Sequence, residues 1–451
     1  MKADLLIIGG GPGGYETALA AARQGKSVVL FNGGELGGTC LNEGCIPTKC
    51  LVKNAEAVTL FKEGEKFGID DFTFMVDYNK IITRKKEVVE TLRKGVETLM
   101  TQAKVTVVNS MASFLDNKRV AADGEVYEGD NIIIATGSET KRLPIPGSEL
   151  KCVMDSSDLL NLEYIPAQLI IIGGGVIGLE FASIFSQLGS KVTVIEFMKH
   201  ILPGFDSDIS KRLKQILTKK GINILTGASA KEIRQNEFYE VEVVYESKGK
   251  EEKIVGSDLL MAVGRKPRLK NLDLEKAGVE WSEKGIKVDA FMQTNVPGIF
   301  AIGDVTGGIM LAHVATAQGQ RALNVINSQT DSLRFDIVPS AVFTNPECGM
   351  VGKTEEACKE ENLAVKIGTS FYRANGKALA MGEPDGICKL IFREEDGKLV
   401  GAHFLGLQAA DLAQQCCDLI NREVTSQEIQ NIIFGHPTIS EVILEACKSV
   451  K

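Results

Sequence analysis

At 451 residues the chain is too long for one ordinary domain, and two to four are expected. The 44% hydrophobic and 24% charged content is typical of a soluble globular protein, and a formal net charge of −8 argues against nucleic acid or an anionic membrane as the main partner. No apolar run approaches the roughly 18 residues of a membrane helix. Glycines interrupt the N-terminal apolar run where a signal peptide would continue, so we expect a cytoplasmic protein.

The N-terminal segment has the order strand, glycine turn, helix, strand in "ADLLIIGGGPGGYETALAAARQGKSVVLFN". Gly9, Gly11 and Gly14 occupy the G-x-G-x-x-G positions, which allow a sharp turn, close approach of a pyrophosphate, and tight helix–strand packing. The second strand ends in Asn32, where such a site normally presents Asp or Glu. We therefore predict a dinucleotide site whose ribose contact lacks a charge.

Two cysteines follow in "GGTCLNEGC", Cys40 and Cys45. In a regular helix, residues five apart are separated by about 7.5 Å along the axis, whereas a disulfide needs Cα atoms within about 7 Å. A bridge therefore requires an irregular turn, which Gly44 would favour. Pro47 is best tolerated if a helix begins near it. Zinc sites usually combine paired ligands at C-x2-4-C spacing, often with histidines, and no such set appears in this sequence, so a metal is disfavoured. Unrelated free thiols and a redox pair both remain open.

Beyond a helix-like, amphipathic stretch at 78–102, the strand–turn–helix–strand pattern recurs in "AQLIIIGGGVIGLEFASIFSQLGSKVTVIE". Gly173, Gly175 and Gly178 repeat the glycine spacing, and Glu196 ends the next strand. A glutamate there accepts hydrogen bonds from ribose hydroxyls and repels a 2′-phosphate, which predicts NAD rather than NADP. The alternative is a solvated strand-end glutamate. Two cradles suggest two dinucleotides, a resident flavin and an exchanging nicotinamide.

Together these features resemble the pyridine nucleotide–disulfide oxidoreductase family over essentially the whole chain. The segments that carry the resemblance, in order, are "GGTCLNEGCIPTK" (37–49), "ATG" (135–137), "IFAIGDV" (299–305), "VPSAVFTNPE" (338–347) and "HPTISE" (436–441). The most similar branch oxidises dihydrolipoyl groups with NAD⁺. The resemblance implies an α/β fold with two Rossmann-like domains, for FAD and NAD, and a C-terminal α+β dimerisation domain.

The resemblance also divides the chain and implies its partners. The FAD domain would comprise residues 1–145 and 270–335, the NAD domain 146–269, and the dimerisation domain 336–451. The protein would be a homodimer that serves a lipoyl-carrying protein, either the E2 component of a 2-oxoacid dehydrogenase or the H protein of glycine cleavage. Neither nucleic acid nor a membrane is expected as a partner.

In this family Cys40 and Cys45 would form the redox-active disulfide, with Cys40 towards the substrate and Cys45 against the flavin. Electrons would pass from Cys45 to FAD, and a hydride would then reach NAD⁺. Lys49 would pair with Glu180 close to the flavin N5, and Asp304 would hold the ribityl chain. The other implied cofactor contacts are Gly38, Thr39, Thr136, Gly137, Gly264 and Gly303. No metal ion is expected.

A thiol proton needs an acceptor, and near neutral pH histidine is the natural one. His436 lies in "HPTISE" with Glu441 five residues later, and resembles the family's His–Glu pair, which acts on the disulfide of the opposite subunit. His200, His313 and His403 are predicted to be structural or surface residues. The alternative for Glu441 is a capping box, since Thr438-x-x-Glu441 also fits that pattern.

Two other functions compete with this interpretation. A related reductase of another disulfide would usually use NADPH and carry basic residues where Glu196 stands, and a mercuric reductase would carry adjacent cysteines at the C-terminus, where this chain has only Cys447. A non-catalytic flavoprotein would be favoured by loss of Cys40, Cys45 or His436, but all three are present.

Overall fold

The computed structural model describes residues 1–71 and 73–450. The α-helices, in chain order, are α1 (Pro12–Arg23), α2 (Gly38–Glu43), α3 (Cys45–Lys62), α4 (Tyr78–Gln102), α5 (Ser156–Leu160), α6 (Val176–Leu188), α7 (Ser207–Lys219), α8 (Leu274–Ala277), α9 (Ala312–Ile326), α10 (Glu355–Glu360), α11 (Gly376–Ala380), α12 (Ala409–Asn421), α13 (Ser426–Gln430) and α14 (Glu441–Lys448). Short 3₁₀ helices cover Gly64–Phe67, Gly303–Thr306 and Tyr372–Ala374.

The strands are β1 (Lys2–Ile8), β2 (Val28–Phe31), β3 (Thr106–Val108), β4 (Ser113–Phe114), β5 (Arg119–Ala122), β6 (Glu125–Ile134), β7 (Ser138–Thr140), β8 (Val153–Met154), β9 (Gln168–Ile172), β10 (Lys191–Glu196), β11 (Asn223–Thr226), β12 (Ala228–Gln235), β13 (Val241–Ser247), β14 (Lys250–Gly256), β15 (Asp258–Met261), β16 (Arg265–Pro267), β17 (Trp281–Ser282), β18 (Gly285–Ile286), β19 (Ile299–Ala301), β20 (Ser340–Val342), β21 (Cys348–Gly352), β22 (Val365–Phe371), β23 (Ile387–Arg393) and β24 (Leu399–Leu405). Among the described residues, no helix has the length and apolar character needed to cross a bilayer.

One compact unit comprises residues 1–50, 79–141 and 264–333. Its main sheet has the order β3-β2-β1-β6-β5-β4, with β19 also paired to β6. Strands β1, β2, β3, β6 and β19 run parallel. The apolar runs of β1, β2 and β19 and the last three residues of β6 are buried, as expected for a parallel sheet. In the sheet, β2 lies on one side of β1 and β6 on the other, and the chain passes from β1 to β2. The first glycine turn follows β1 at this switch point, where open α/β sheets bind ligands.

The second compact unit comprises residues 51–71, 73–78, 142–263 and 334–450. Its parallel sheet has the order β11-β10-β9-β15-β8, and the second glycine turn follows β9 at the corresponding switch point. The antiparallel sheet β12-β13-β14 lies in the same unit. Two Rossmann-like folds are therefore present, as the paired glycine motifs predicted.

The C-terminal part of the second unit contains a five-stranded antiparallel sheet, in the order β20-β21-β24-β23-β22. Helices α12 and α14 pack on this sheet through a shared core that includes Phe392, Phe404, Leu412 and Ile443. The core is built from alternating inward residues of the strands and one apolar stripe of each helix. This is the predicted α+β region, and it brings the segment 436–441 to the N-terminal end of α14.

A buried ionic cluster lies inside the second unit. The Lys389 ammonium donates hydrogen bonds to Asp206 at 3.0 Å, Asp208 at 2.8 Å and Glu355 at 2.7 Å, and both Lys389 and Asp206 are almost fully buried. Hydrogen bonds from Lys359 and Lys389 lower the pKa of Glu355 to about 2. A buried cation needs several anionic partners to offset its desolvation. Because these partners lie at the start of α7 and on α10, the cluster joins both helices to β23, which carries Lys389.

We expect Lys389→Met to destabilise this unit by about 3–5 kcal/mol, because Asp206 would remain buried without its cation. The measurement is the urea unfolding midpoint at pH 7. The matched control is Lys398→Met, which removes an exposed ion pair with Glu423 and should shift the midpoint much less. Because the folded pKa of Glu355 is depressed below 4.5, the contribution of Glu355 is full above that pH and is lost as the pH falls towards 2. Equal losses in the two variants would contradict this account.

Candidate active site

Cys40 and Cys45 form a disulfide across a break between two helices. Helix α2 ends at Glu43, Gly44 takes the irregular dihedrals φ −145° and ψ −104°, and α3 begins at Cys45. The Cα atoms are 4.7 Å apart, which is within the distance that a disulfide requires. A regular helix would hold two residues at this spacing farther apart. The predicted irregular turn is confirmed, and Pro47 lies in the first turn of α3, where proline is tolerated.

Two polar side chains that sequence reasoning missed hold this turn. Asn42 donates from Nδ2 to the carbonyls of Leu36 at 3.1 Å and Gly38 at 3.0 Å. The Thr48 hydroxyl donates to the carbonyl of Gly44 at 2.6 Å. The Gly44 carbonyl also accepts the Thr48 amide at 3.1 Å, so the Thr48 hydroxyl adds a second hydrogen bond at the break, and Asn42 ties α2 to the turn that precedes it. The i to i+4 spacing of Gly44 and Thr48 was the available signal.

The other eight cysteines are free thiols, and all except Cys152 are buried. Burial raises the pKa of the Cys348, Cys388 and Cys416 thiols, because desolvation disfavours the thiolate. A thiol that stays protonated is a poor nucleophile. The sulfur chemistry of the described residues is therefore concentrated at the partly exposed Cys40–Cys45 pair.

The first glycine turn is shaped to approach a ligand closely. Gly9 has φ +123°, and a Cβ added there would collide with the Ala135 carbonyl. A Cβ on Gly14 would collide with the Gly9 carbonyl, so this position packs the helix against the strand. At Gly11, by contrast, the nearest atom to an added Cβ is the Gly38 Cα at 4.0 Å, among the described residues. The open space faces the N-terminus of α1, whose glycine N-cap leaves the first-turn amides to a phosphate. These residues fit a dinucleotide.

Asn32 is buried beside this turn. Its Nδ2 donates to the carbonyl of Gly34 at 2.7 Å, and its side chain lies where a Cβ on Gly10 would have to go. Glu196 has the same relation to Gly174 in the second turn. Asn32 thus stands at the structural position of the usual acidic residue, and its role as an uncharged ribose contact stays a prediction.

Around the end of β6 the predicted flavin contacts converge within the first unit. Thr136 donates from Oγ1 to the Arg268 carbonyl at 2.8 Å, and Gly137 adopts φ +71°. Asp304 follows Gly303 in a 3₁₀ turn, and its Oδ2 accepts a hydrogen bond from Ser138 at 2.6 Å. Gly38 and Thr39 open α2 beside Gly11. Ser138 was missed by sequence reasoning, although it directly follows the "ATG" motif.

The second glycine turn repeats the geometry of the first. Added Cβ atoms on Gly173 and Gly178 would collide with the carbonyls of Ala262 and Gly173, whereas the described residues leave the space at Gly175 open to 4 Å. Glu196 accepts hydrogen bonds from the amides of Gly174 at 2.5 Å and Met198 at 2.6 Å, and it is only 7% exposed. It is therefore not the solvated strand-end glutamate of the alternative. The turn fits a second dinucleotide.

Lys49 and Glu180 belong to different compact units. Lys49 lies on α3, one turn after Cys45. Glu180 is buried on α6, and its Oε1 accepts a hydrogen bond from the Phe343 amide at 2.9 Å. The pairing of Lys49 with Glu180 stays a prediction. Gly264, with φ +105°, follows β15 and precedes β16.

His436 and Glu441 form a hydrogen-bonded pair. His436 Nδ1 lies 3.0 Å from Glu441 Oε1, and Glu441 Oε2 accepts from the Thr438 amide at 2.9 Å. The Thr438 amide and then His436 lower the pKa of the Glu441 carboxyl. One carboxylate thus binds both the imidazole and the Thr438 amide. The capping-box alternative is not formed, because α14 begins at Glu441 with Ser440 as its N-cap and the Thr438 hydroxyl donates to the Gly435 carbonyl. The His436 side chain is 77% exposed in the single chain.

A residue outside the motif supports this loop. Asn375 caps α11 by accepting from the Ala378 amide at 2.9 Å, and its Nδ2 donates to the Thr438 carbonyl at 3.0 Å. Nothing in the spacing of the sequence indicated this contact. The other histidines differ from the pair: His403 is fully buried with Nε2 2.9 Å from the Lys353 carbonyl, and His200 is on the surface.

Comparison with known protein families gives two matches. The pyridine nucleotide-disulphide oxidoreductase model matches residues 3–319, and its dimerisation domain matches residues 338–447. Curated relatives include the dihydrolipoyl dehydrogenase of Bacillus subtilis, 40% identical over 99% of this chain and 98% of its own length. That of Chlamydia muridarum is 39% identical over 98% of this chain and 96% of its own length.

A solved structure also matches closely. It is the HOCl-induced flavoprotein disulfide reductase RclA from Escherichia coli, with a TM-score of 0.89 and 31% identity, covering 99% of this chain and all of that chain. The agreement extends over both nucleotide folds and the C-terminal sheet. It confirms the predicted fold class.

Alanine substitutions at two glycines of the second turn should have different effects. Gly175→Ala places a methyl group in open space, so we expect an unchanged melting temperature but roughly tenfold weaker dinucleotide binding, measured by titration calorimetry with NAD⁺. Gly178→Ala collides with the Gly173 carbonyl, so we expect it to lower the melting temperature. Normal binding by a stable Gly175→Ala protein would contradict the assignment.

Proposed function

Because this chain belongs to the pyridine nucleotide–disulphide oxidoreductase family, we propose that it oxidises dihydrolipoyl groups as a dihydrolipoyl dehydrogenase. The enzyme is a flavoprotein oxidoreductase, and its cofactors are FAD and NAD. The observation that carries the proposal is the Cys40–Cys45 disulfide, which lies in the same compact unit as the first dinucleotide turn. Full-length identity of 40% to a dihydrolipoyl dehydrogenase supports the substrate.

The dithiol substrate reacts with the disulfide by two exchanges. Its first thiolate attacks the sulfur of Cys40, the Cys40–Cys45 bond breaks, and Cys45 leaves as a thiolate. The second substrate sulfur then attacks the mixed disulfide, which closes the lipoyl disulfide and releases Cys40. Two electrons have moved to the cysteine pair. Cys45 is the first residue of the 18-residue helix α3, and the positive end of the helix dipole stabilises its thiolate.

His436 accepts the substrate thiol proton in this scheme. Glu441 orients the imidazole through Nδ1 and stabilises its positive charge. Nε2, on the other side of the ring from the carboxylate, accepts the proton. Because His436 is exposed in one chain and the chain carries a dimerisation domain, we place it at the disulfide of the opposite subunit of a homodimer. Each complete site then needs two chains.

FAD, when bound, supplies a two-electron acceptor between the cysteines and NAD⁺. Gly9, Gly11 and Gly14 would hold its pyrophosphate, Asp304 its ribityl chain, and Lys49 with Glu180 would lie near its ring. The second turn and Glu196 would hold NAD. In this proposal, residues 1–145 and 270–335 form the FAD domain, residues 146–269 the NAD domain and residues 336–451 the dimerisation domain. The partner would be a lipoyl-carrying protein in the cytoplasm, E2 or the glycine-cleavage H protein.

The alternative is reduction of another substrate, which the structural match to a flavoprotein disulfide reductase favours. One anaerobic experiment separates the two. Dihydrolipoamide should turn the yellow protein orange-red and support NAD⁺ reduction, whereas NADPH with oxidised glutathione should give no turnover. The opposite pattern would support the alternative.

We expect Cys45→Ser to abolish both the long-wavelength absorbance that follows mixing with dihydrolipoamide and the turnover with NAD⁺, because no sulfur remains to receive electrons at that position. The matched control is Cys50→Ala, which removes a buried free thiol from the same helix and should retain both signals. Turnover by the serine variant would overturn the role of Cys45.

We expect His436→Gln to bind FAD normally and to slow dithiol oxidation by about 10²–10⁴-fold, because it removes the proton acceptor. Stopped-flow spectroscopy of the reductive half-reaction measures this rate. Glu441→Gln should give a smaller loss, since the amide can still accept one of the two hydrogen bonds. A full-speed glutamine variant at position 436 would show that another group takes the proton.

A further inference from the structure

A chain of hydrogen bonds runs behind Asp304 inside the first compact unit. The Ser138 hydroxyl donates to Asp304 Oδ2 at 2.6 Å, and Ser138 Oγ in turn accepts from Arg265 Nε at 2.7 Å. Arg265 also donates from a terminal nitrogen to the Ser138 carbonyl at 2.9 Å. Ser138 itself is only 4% exposed. The guanidinium fork therefore holds both the side chain and the backbone of one buried serine.

The local fold explains why these residues meet. Ser138 begins β7 and Arg265 begins β16, and the two short strands pair antiparallel with Ser138 opposite Pro267. Asp304 lies in the 3₁₀ turn after β19, directly behind Gly303, whose amide donates to Gln318 Oε1 at 2.7 Å. Three segments far apart in sequence are thus joined at the Ser138 hydroxyl.

We infer that Ser138 and Arg265 are positioning residues, which set the orientation of Asp304 for the ribityl chain of FAD. A serine hydroxyl has one proton to donate, and the Arg265 N–H on its oxygen leaves that proton directed to Asp304. The nearby positive charge polarises the hydroxyl and strengthens its bond to the carboxylate. With Oδ2 engaged, Oδ1 is able to accept a ribityl hydroxyl.

This inference rests on the proposed function only for the identity of the flavin. A positioning role for Ser138 and a purely structural role for the β7–β16 pair predict different effects of removing the serine. If Ser138 acts through Asp304, its removal matters for FAD only while the Asp304 carboxylate is present. If it only ties two strands together, its removal lowers protein stability whether or not Asp304 is there.

The test compares FAD release from holoenzyme variants, followed by the rise of flavin fluorescence after dilution. We expect Ser138→Ala and Arg265→Met each to release FAD about tenfold faster than the wild type, and the double variant to release it little faster than either single variant. In an Asp304→Ala background, where release is already fast, Ser138→Ala should add nothing. The melting temperatures of the apoproteins should change little.

The matched control is Thr294→Val, which removes another buried hydroxyl of the same unit, one that donates to the Ile299 carbonyl. Its FAD release should equal that of the wild type. Wild-type release from both Ser138→Ala and Arg265→Met, or an undiminished Ser138→Ala effect in the Asp304→Ala background, would overturn the inference. Because the readout is flavin release, a wild-type enzyme without dihydrolipoyl activity would overturn the proposed function and leave this test intact.

Discussion

The break at Gly44 is the constraint on which the sulfur chemistry depends. A continuous helix through residues 38–62 would hold Cys40 and Cys45 too far apart along its axis to bridge. Ending α2 at Glu43 and restarting at Cys45 brings their Cα atoms to 4.7 Å and makes Cys45 the first residue of a long helix. The same break thus closes the disulfide and places one sulfur where a thiolate is stabilised. At the break, the Gly44 carbonyl accepts hydrogen bonds from both the amide and the hydroxyl of Thr48.

The two nucleotide folds use one solution twice. In each fold, a Cβ on the first or third glycine would collide with a nearby backbone carbonyl, so only glycine fits there. The middle glycine faces open space. The collision partners also correspond: Ala135 and Ala262 are the residues that follow the neighbouring parallel strands β6 and β15. What differs is the polar side chain beside the turn, Asn32 in one and Glu196 in the other. The folds are alike, and the ligand preference therefore depends on that side chain and its surroundings.

In the C-terminal region the proposed proton acceptor lies in a loop and not on the sheet. His436, Thr438 and Glu441 are linked by hydrogen bonds within six residues, and Asn375 joins this loop to α11. An imidazole that is oriented by a carboxylate and still exposed is suited to act on a partner chain. The buried Lys389 cluster fastens the C-terminal region to α7 of the NAD-type fold, so the two parts of this unit are held by charge as well as by apolar packing.

From the sequence by itself came the glycine turns and the candidate cysteine pair, because each depends on residue types at short, fixed spacings. The α/β class and the His–Glu pair came from the resemblance of short segments to a known family. The spacing of Cys40 and Cys45 could state only the condition for a bridge; the tertiary structure decided that Gly44 meets it. Sequence distance concealed the contacts made by Ser138, Arg265 and Asp304, and by Asn375 and Thr438, since they join segments separated by 63 to 166 residues. The burial of Glu196 likewise became visible only in the fold, because solvent exposure at a strand end depends on what the neighbouring turns place above it.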